Sequence, residues 1–367
     1  MKKLSIGDVT ITSIIERDGP WRTPQEMFPA YDPIIGKRHL AELDPAVFDP
    51  ASGKMVITYQ TYIVRTPRHT VLIDTCTGED KGYAPPMDFP KQPWLDGLAA
   101  AGLRFEDIDY VFCTHLHIDH CGWNTGLRDG RWVPTFPKAK YIFHKGEYAA
   151  WEESTKRGET RAGGGGNVFR YNCQPIVEAG QALLVDDGYQ LDDTFWLVPT
   201  PGHSPYHCSV NIRSRGQHAV VIGDLMHHAL QCREPDWSTI FDWDPAQAAR
   251  SRRKFLTAIA GTGQYVLPIH FPHPTRADRS QDRRPIGLAT LQGVVHEVAD
   301  HHRALSTRAD IDAAMAGRMA GGRHEPKRIV ELITVIRRAA PGRLRRSAGN
   351  CSETRCRRRR WRRRPGR

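Results

Sequence analysis

Thr114-His115-Leu116-His117-Ile118-Asp119-His120-Cys121-Gly122 follows the apolar run Tyr110-Val111-Phe112-Cys113 and closes on a glycine. Residues two apart on an extended chain point to the same side, so His115 and His117, leaving a strand, can face one metal ion. Asp119 and His120 then reach a second point close by. Imidazole and carboxylate together suit Zn²⁺, with Mn²⁺, Fe²⁺ and Co²⁺ as competitors. The plainer alternative, a surface loop that happens to be rich in histidine, explains neither this spacing nor the buried strand ahead of it.

Around this stretch, residues 1–275 read as one alternating α/β domain. Strand-like segments are expected over 4–15, 55–64, 70–73, 110–113, 140–143, 195–198, 208–212, 219–222 and 265–269. Helical patterns lie over 94–101, 146–153 and 245–260, the last opened by Asp244 as N-cap and Pro245 in the first turn. Residues 22–52 carry five prolines and little periodicity, and predict an irregular excursion or lid.

The net charge of +11 is misleading until it is located. Residues 276–367 hold 24 Lys+Arg against 9 Asp+Glu, leaving 28 against 32 for residues 1–275. The body is therefore mildly acidic, and the basic character belongs to an Arg-rich tail ending in Arg357–Arg360, Trp361 and Arg362–Arg364. Three readings of that tail compete: a disordered segment, an arm for nucleic acid or an acidic partner, or a segment read in a shifted frame. Eight scattered cysteines without a CxxC pair fit a reducing, cytoplasmic setting rather than a disulfide scaffold. The polar N-terminus argues against a secretory signal, and no apolar run approaches the roughly 20 residues of a membrane span.

The central motif resembles HxHxDH of the metallo-β-lactamase superfamily, and later segments match that family in order. Pro199-Thr200-Pro201-Gly202-His203 looks like the third-histidine turn, Val220-Val221-Ile222-Gly223-Asp224 like the strand delivering a bridging aspartate, and Tyr265-Val266-Leu267-Pro268-Ile269-His270 like the final strand and its histidine. The resemblance implies an αββα sandwich. It also implies two metal sites: His115, His117 and His203 at one, Asp119, His120 and His270 at the other, with Asp224 bridging both. Read alone, His270 could equally be a buried hydrogen-bonded histidine and Asp224 a loop cap. His207, four residues after His203, is a rival for the third histidine, which the Pro-Gly turn disfavours. Asp74, after Val71-Leu72-Ile73, matches an aspartate expected to orient a ligand histidine.

For function the resemblance works by analogy. Seven ligands with a bridging aspartate imply two Zn²⁺ per chain and a hydroxide between them that attacks an ester-like bond, with Asp119 at the catalytic centre. In the lactonase branch that the chain resembles, a tyrosine three residues after the bridging aspartate assists. Here His227 stands there, as a substitute acid or a supporting histidine. Trp123 and Phe271, directly after ligand segments, are expected at the mouth of an apolar pocket. The reading is a hydrolase of a small apolar substrate, a quorum-quenching type of lactonase first, with a homodimer compatible with it. An organophosphate or aryl-ester hydrolase with the same site is the rival. A nuclease using the basic tail, a di-iron oxidoreductase and a non-catalytic binding protein come after.

Overall fold

The computed structural model describes residues 3–159 and 163–272, which all fall in one compact unit. The tail 276–367, and with it the division into two segments at residue 275, lies outside the described residues. Among the described residues no helix is long and apolar enough to cross a membrane.

Two sheets carry the fold. The larger runs in the order Leu4–Ile6, Val9–Arg22, Lys54–Arg65, Thr70–Ile73, Tyr110–Phe112, Lys140–His144, Ala182–Val185, with the short strand Phe48–Asp49 paired to Lys54–Arg65. The smaller runs Gln190–Leu191, Phe195–Pro199, Cys208–Ser214, Gln217–Val221, Tyr265–Leu267. Alternation of side chains along each strand divides the core into two layers. Val71 and Ile73, Phe112 and Ile142 point inward to meet Phe195, Val210, Val221 and Leu267 between the sheets. Their neighbours Leu72, Val111, Tyr141 and Phe143 point outward, where Trp94, Leu98, Tyr148 and Trp151 of flanking helices cover them. Val220 and Val266 do the same on the second sheet, in one cluster with Leu256 and Ile259 of the helix Pro245–Ile259. Strands buried on both faces and helices outside them make the α/β/β/α sandwich that the sequence leads one to expect. Full burial of each such aliphatic or aromatic side chain stabilises by about 1.5–3 kcal/mol.

The stretch after Arg22 departs from expectation. Thr23 caps Pro24–Met27 in a reciprocal capping box with Glu26, and Asp32 caps the ten-residue helix Pro33–Glu42. Pro24, Pro33 and Pro45 stand at first-turn positions, where proline costs nothing. The segment is thus largely helical rather than irregular.

Candidate metal centre

The loops that leave the ends of strands in both sheets converge on one buried point. From the first sheet come His115, His117, Asp119 and His120; from the second come His203, Asp224 and, after the last strand, His270. Ligand-type atoms of His115, His117, His203 and Asp224 lie within 4.8 Å of one another, as do those of Asp119, His120 and His270. His227 joins Asp224 and His270 in a third such group. The structure therefore brings all seven residues of the expected set together and adds His227 to them.

Asp224 divides its two oxygens between the groups. Oδ1 lies 3.0 Å from His120 Nε2 and 2.9 Å from His270 Nε2. Oδ2 lies 3.1 Å from His203 Nε2, 3.1 Å from His227 Nε2 and 3.7 Å from His115 Nε2. His117 Nδ1 is 2.9 Å from His203 Nε2, and Asp119 approaches His270 Nε2 at 3.5 Å and His120 Nε2 at 3.6 Å.

What stands behind the rings fixes which nitrogen faces inward. His120 Nδ1 donates to Asp74 at 2.8 Å, His203 Nδ1 to Asp242 at 2.9 Å and His270 Nδ1 to the carbonyl of Thr58 at 2.8 Å. Thr114 Oγ1 gives its own hydrogen to Asp74 and so accepts from His115 Nδ1. Each neutral ring then turns an Nε2 lone pair toward the carboxylates of Asp224 and Asp119, acceptors against acceptors. His115 Nε2, His120 Nε2 and Asp224 Oδ1 are buried without any aligned hydrogen-bond partner. Such an array suits cations at its centre, and its N/O donor chemistry fits a divalent transition metal.

Electrostatics divide the rings in the same way. Burial pulls all these imidazoles down, and for His115 and His117 the neighbouring rings add to the fall, leaving both well below the ordinary histidine range. In His120 and His270 burial is outweighed by Asp224, Asp119 and, for His120, Asp74, so both are raised. In His203 burial is likewise outweighed, by Asp224 and Asp242, which lift it to about 9. Without a metal, protons occupy the same central positions.

The supports are specific. Gly223 adopts φ +51° immediately before Asp224, and a Cβ there would lie 2.5 Å from His207 Nε2 and 2.7 Å from Thr114 Oγ1. His207 is not in the cluster's centre: its Nε2 accepts from the Asp224 backbone N–H at 3.0 Å and its Nδ1 meets Thr200 Oγ1. Buried Glu147 accepts from Leu116 N, Tyr206 N and Trp151 Nε1, joining the two ligand-bearing loops through one carboxylate. Cys121, buried with its thiol on the His117 carbonyl, packs in the core.

A cavity of about 170 Å³ opens onto the cluster, lined in part by Trp21, Arg22, Met27, Ile57, Tyr59, Met87 and Phe241, with Asp224, His227 and His270 also at its surface. Trp123 and Phe271 are not in its lining. Trp123 stacks on Trp94 at 4.6 Å and donates to Glu16, and Phe271 is buried in the same core cluster. Sequence adjacency misled here, because the side chains that follow these two histidine-bearing segments are buried in the core. The aromatic wall comes instead from Trp21, Tyr59 and Phe241. Neither these three nor Asp242 behind His203 stand out in the sequence as site residues. Each is an isolated residue on another element, with no spacing signal to betray it.

A model of the metallo-beta-lactamase superfamily matches residues 58–276, more than half of the chain. The N-acyl homoserine lactonase AttM of Rhizobium radiobacter is 32% identical over 135 residues, covering 36% of this chain and 45% of that one. An N-acyl homoserine lactonase of Bacillus cereus is 23% identical over 174 residues, 44% of this chain and 60% of its own. The chain thus spans about half the length of the curated relatives it matches. Among solved structures, the hydrolase AbOPH superimposes with a TM-score of 0.60 at 23% identity, covering 74% of this chain and 89% of that one. AidC, a dizinc quorum-quenching lactonase, gives 0.58 at 22% identity, covering 74% and 90%. At these identities the structural likeness shows the fold.

Proposed function

The chain belongs to the metallo-beta-lactamase superfamily, and from that premise we propose that it is a metal-dependent hydrolase that opens an ester-like bond of a small molecule, a lactone first. Its resident cofactor is proposed as two divalent ions, zinc first. One would be held by His115, His117 and His203, the other by Asp119, His120 and His270, with Asp224 shared. The observation that carries the reading is the division of Asp224, with Oδ1 facing His120 and His270 while Oδ2 faces His203, His227 and His115. When bound, such a pair supplies a water ionised near neutral pH and a Lewis acid for the substrate oxygen.

The chain's own residues do the rest. Asp74, Asp242 and the Thr58 carbonyl fix the inward nitrogens of their histidines before any substrate arrives. Met27, Ile57, Met87 and Phe241 give the cavity an apolar wall that holds the substrate's non-reacting part and excludes water. His227, at the cavity surface with Nε2 3.1 Å from Asp224 Oδ2, is proposed to hand a proton to the leaving oxygen from its protonated form, which burial opposes and Asp224 favours, and to be left as the neutral ring.

The aromatic lining Trp21, Tyr59 and Phe241 favours one second reading, an aryl-ester or organophosphate hydrolase using the same centre. Metal analysis of the purified full chain, followed by turnover of an N-acyl homoserine lactone beside an aryl phosphotriester, tests both. About two metals per chain with lactone opening supports the first reading. Phosphotriester turnover alone moves the assignment to the second. A folded chain that takes up no metal overturns both.

A further inference from the structure

Trp21 and Arg22 end the long strand Val9–Arg22 at a β-bulge. Pairing with the neighbouring strand shifts between Pro20–Val56 and Arg22–Met55, which leaves Trp21 as the extra residue. A regular strand would send these two consecutive side chains to opposite faces. Instead both line the cavity over the histidine cluster.

Both bring hydrogen-bond donors that no described residue uses. Trp21 Nε1 and Arg22 Nε are buried without a partner. The guanidinium makes neither a hydrogen bond nor an ion pair among the described residues. Of the two acidic residues four positions away, Asp18 accepts from Thr58 Oγ1 at 2.6 Å, and Glu26, which feels the Arg22 charge, spends its carboxylate on Thr23 N and Oγ1 at 2.8 and 3.0 Å. Arg22 Cζ lies 4.4 Å from the Trp21 ring centroid and 5.6 Å from that of Phe241. Contact with rings engages the flat faces of a guanidinium and leaves its N–H edge free for an acceptor. Phe241 in turn is 6.5 Å from the His227 ring, so one ring neighbours both the cation and the histidine cluster. A half-buried cation with no direct ion pair among the described residues and an adjacent orphan indole N–H are costly features in an empty protein.

We propose that Trp21 and Arg22 form a carboxylate-binding subsite, so that the preferred substrate carries a carboxylate at the end remote from the bond that is cleaved. The inference rests on the hydrolase reading for calling the occupant a substrate. A neutral carbonyl would satisfy one donor but leave the charge unanswered, whereas a carboxylate answers both with a charge-assisted pair.

The test is binding by calorimetry to the metal-loaded full chain, with glutaric acid monoanilide as the acidic probe and pentananilide as the neutral one. The wild type is expected to bind the acid at least about tenfold more tightly. Arg22→Met should bring the two to parity, Arg22→Lys should keep part of the preference, and Trp21→Phe should weaken the acid by a few fold. The neutral anilide should bind the wild type and the two Arg22 variants alike. Preference retained in Arg22→Met would overturn the proposal, since the carboxylate would then be seated on the metal centre. No preference, or no binding of either probe, in the wild type would overturn it as well. Turnover of 4-nitrophenyl butyrate and of the 4-nitrophenyl monoester of glutaric acid is measured alongside. If neither is cleaved while the anilide selectivity holds, the hydrolase reading fails and the subsite stands.

Discussion

His203 is held by Asp242: the ring Nδ1 donates to Asp242 Oδ1 at 2.9 Å, and the same carboxylate meets Arg252 Nη1 at 3.3 Å in a fully buried chain of charges. Burial alone would raise this carboxyl, but His203 and Arg252 hold it well below the usual carboxylate range. Asp242→Asn keeps the shape and removes the charge. Metal affinity, measured by competition with a chelator, is expected to fall about 10–100-fold. The melting temperature should fall too, because Arg252 loses its counter-charge.

His117→Ala and Asp119→Ala remove one proposed ligand from each half of the centre. Metal content and turnover should be lost together, while the circular dichroism spectrum stays that of the folded sandwich. Full turnover by a metal-depleted variant would refute the mechanism.

Gly223→Ala places a methyl group against His207 and Thr114 in a left-handed backbone conformation. A loss of about 1–3 kcal/mol in urea unfolding is expected, with reduced metal uptake because the Asp224 N–H···His207 bond must shift. Gly216→Ala has a similar φ of +74° but open space around it, and should keep its metal.

Proton linkage of metal uptake has a definite sign. His203 is raised to about 9 by Asp224 and Asp242 against its burial, and His120 and His270 are also raised. Below pH 9 the metal-free His203 is therefore protonated, and a metal must displace that proton. Zn²⁺ binding at pH 7 should release protons, read as a buffer-dependent calorimetric enthalpy, and affinity should rise with pH until about 9. The same sign holds for the metal-free fold. The stability that His203 contributes is fully present below its unfolded-state value, and is lost as pH rises through 9.

His227→Gln keeps a hydrogen bond to Asp224 within reach but cannot deliver a proton. On the proposed role, kcat falls about 10²-fold or more with KM little changed. An unaltered kcat would reduce His227 to a supporting residue.

Much of this architecture was legible in the chain itself. Short apolar runs in Thr70–Ile73, Tyr110–Phe112 and Gln217–Val221 announce buried strands, and the histidine and aspartate motifs at their ends announce where the two sheets meet. Asp74 was readable as a support for a ligand histidine because it too follows a strand, and it takes the Nδ1–H of His120. Asp242, Tyr59 and Phe241 were not readable. They reach the site through tertiary packing, from a loop and from the middle of a long strand, and a single carboxylate or ring carries no period. Helix Pro33–Glu42 was hidden by prolines that in fact begin it. Trp21 and Arg22 were hidden for a different reason: a bulge overrides the alternation rule by which a strand's inner and outer residues are told apart.

His270 lies beyond the last described strand, Tyr265–Leu267, which pairs in parallel with Gln217–Val221 at the edge of the second sheet. Its partners in the centre are already present by residue 224. The centre is therefore assembled last in the order of synthesis: a nascent chain stopped before residue 265 lacks both the edge strand and the histidine that closes the second half. Incomplete chains would offer at most a lopsided set of the proposed ligands, so uptake of two metals would report that the whole sandwich has closed.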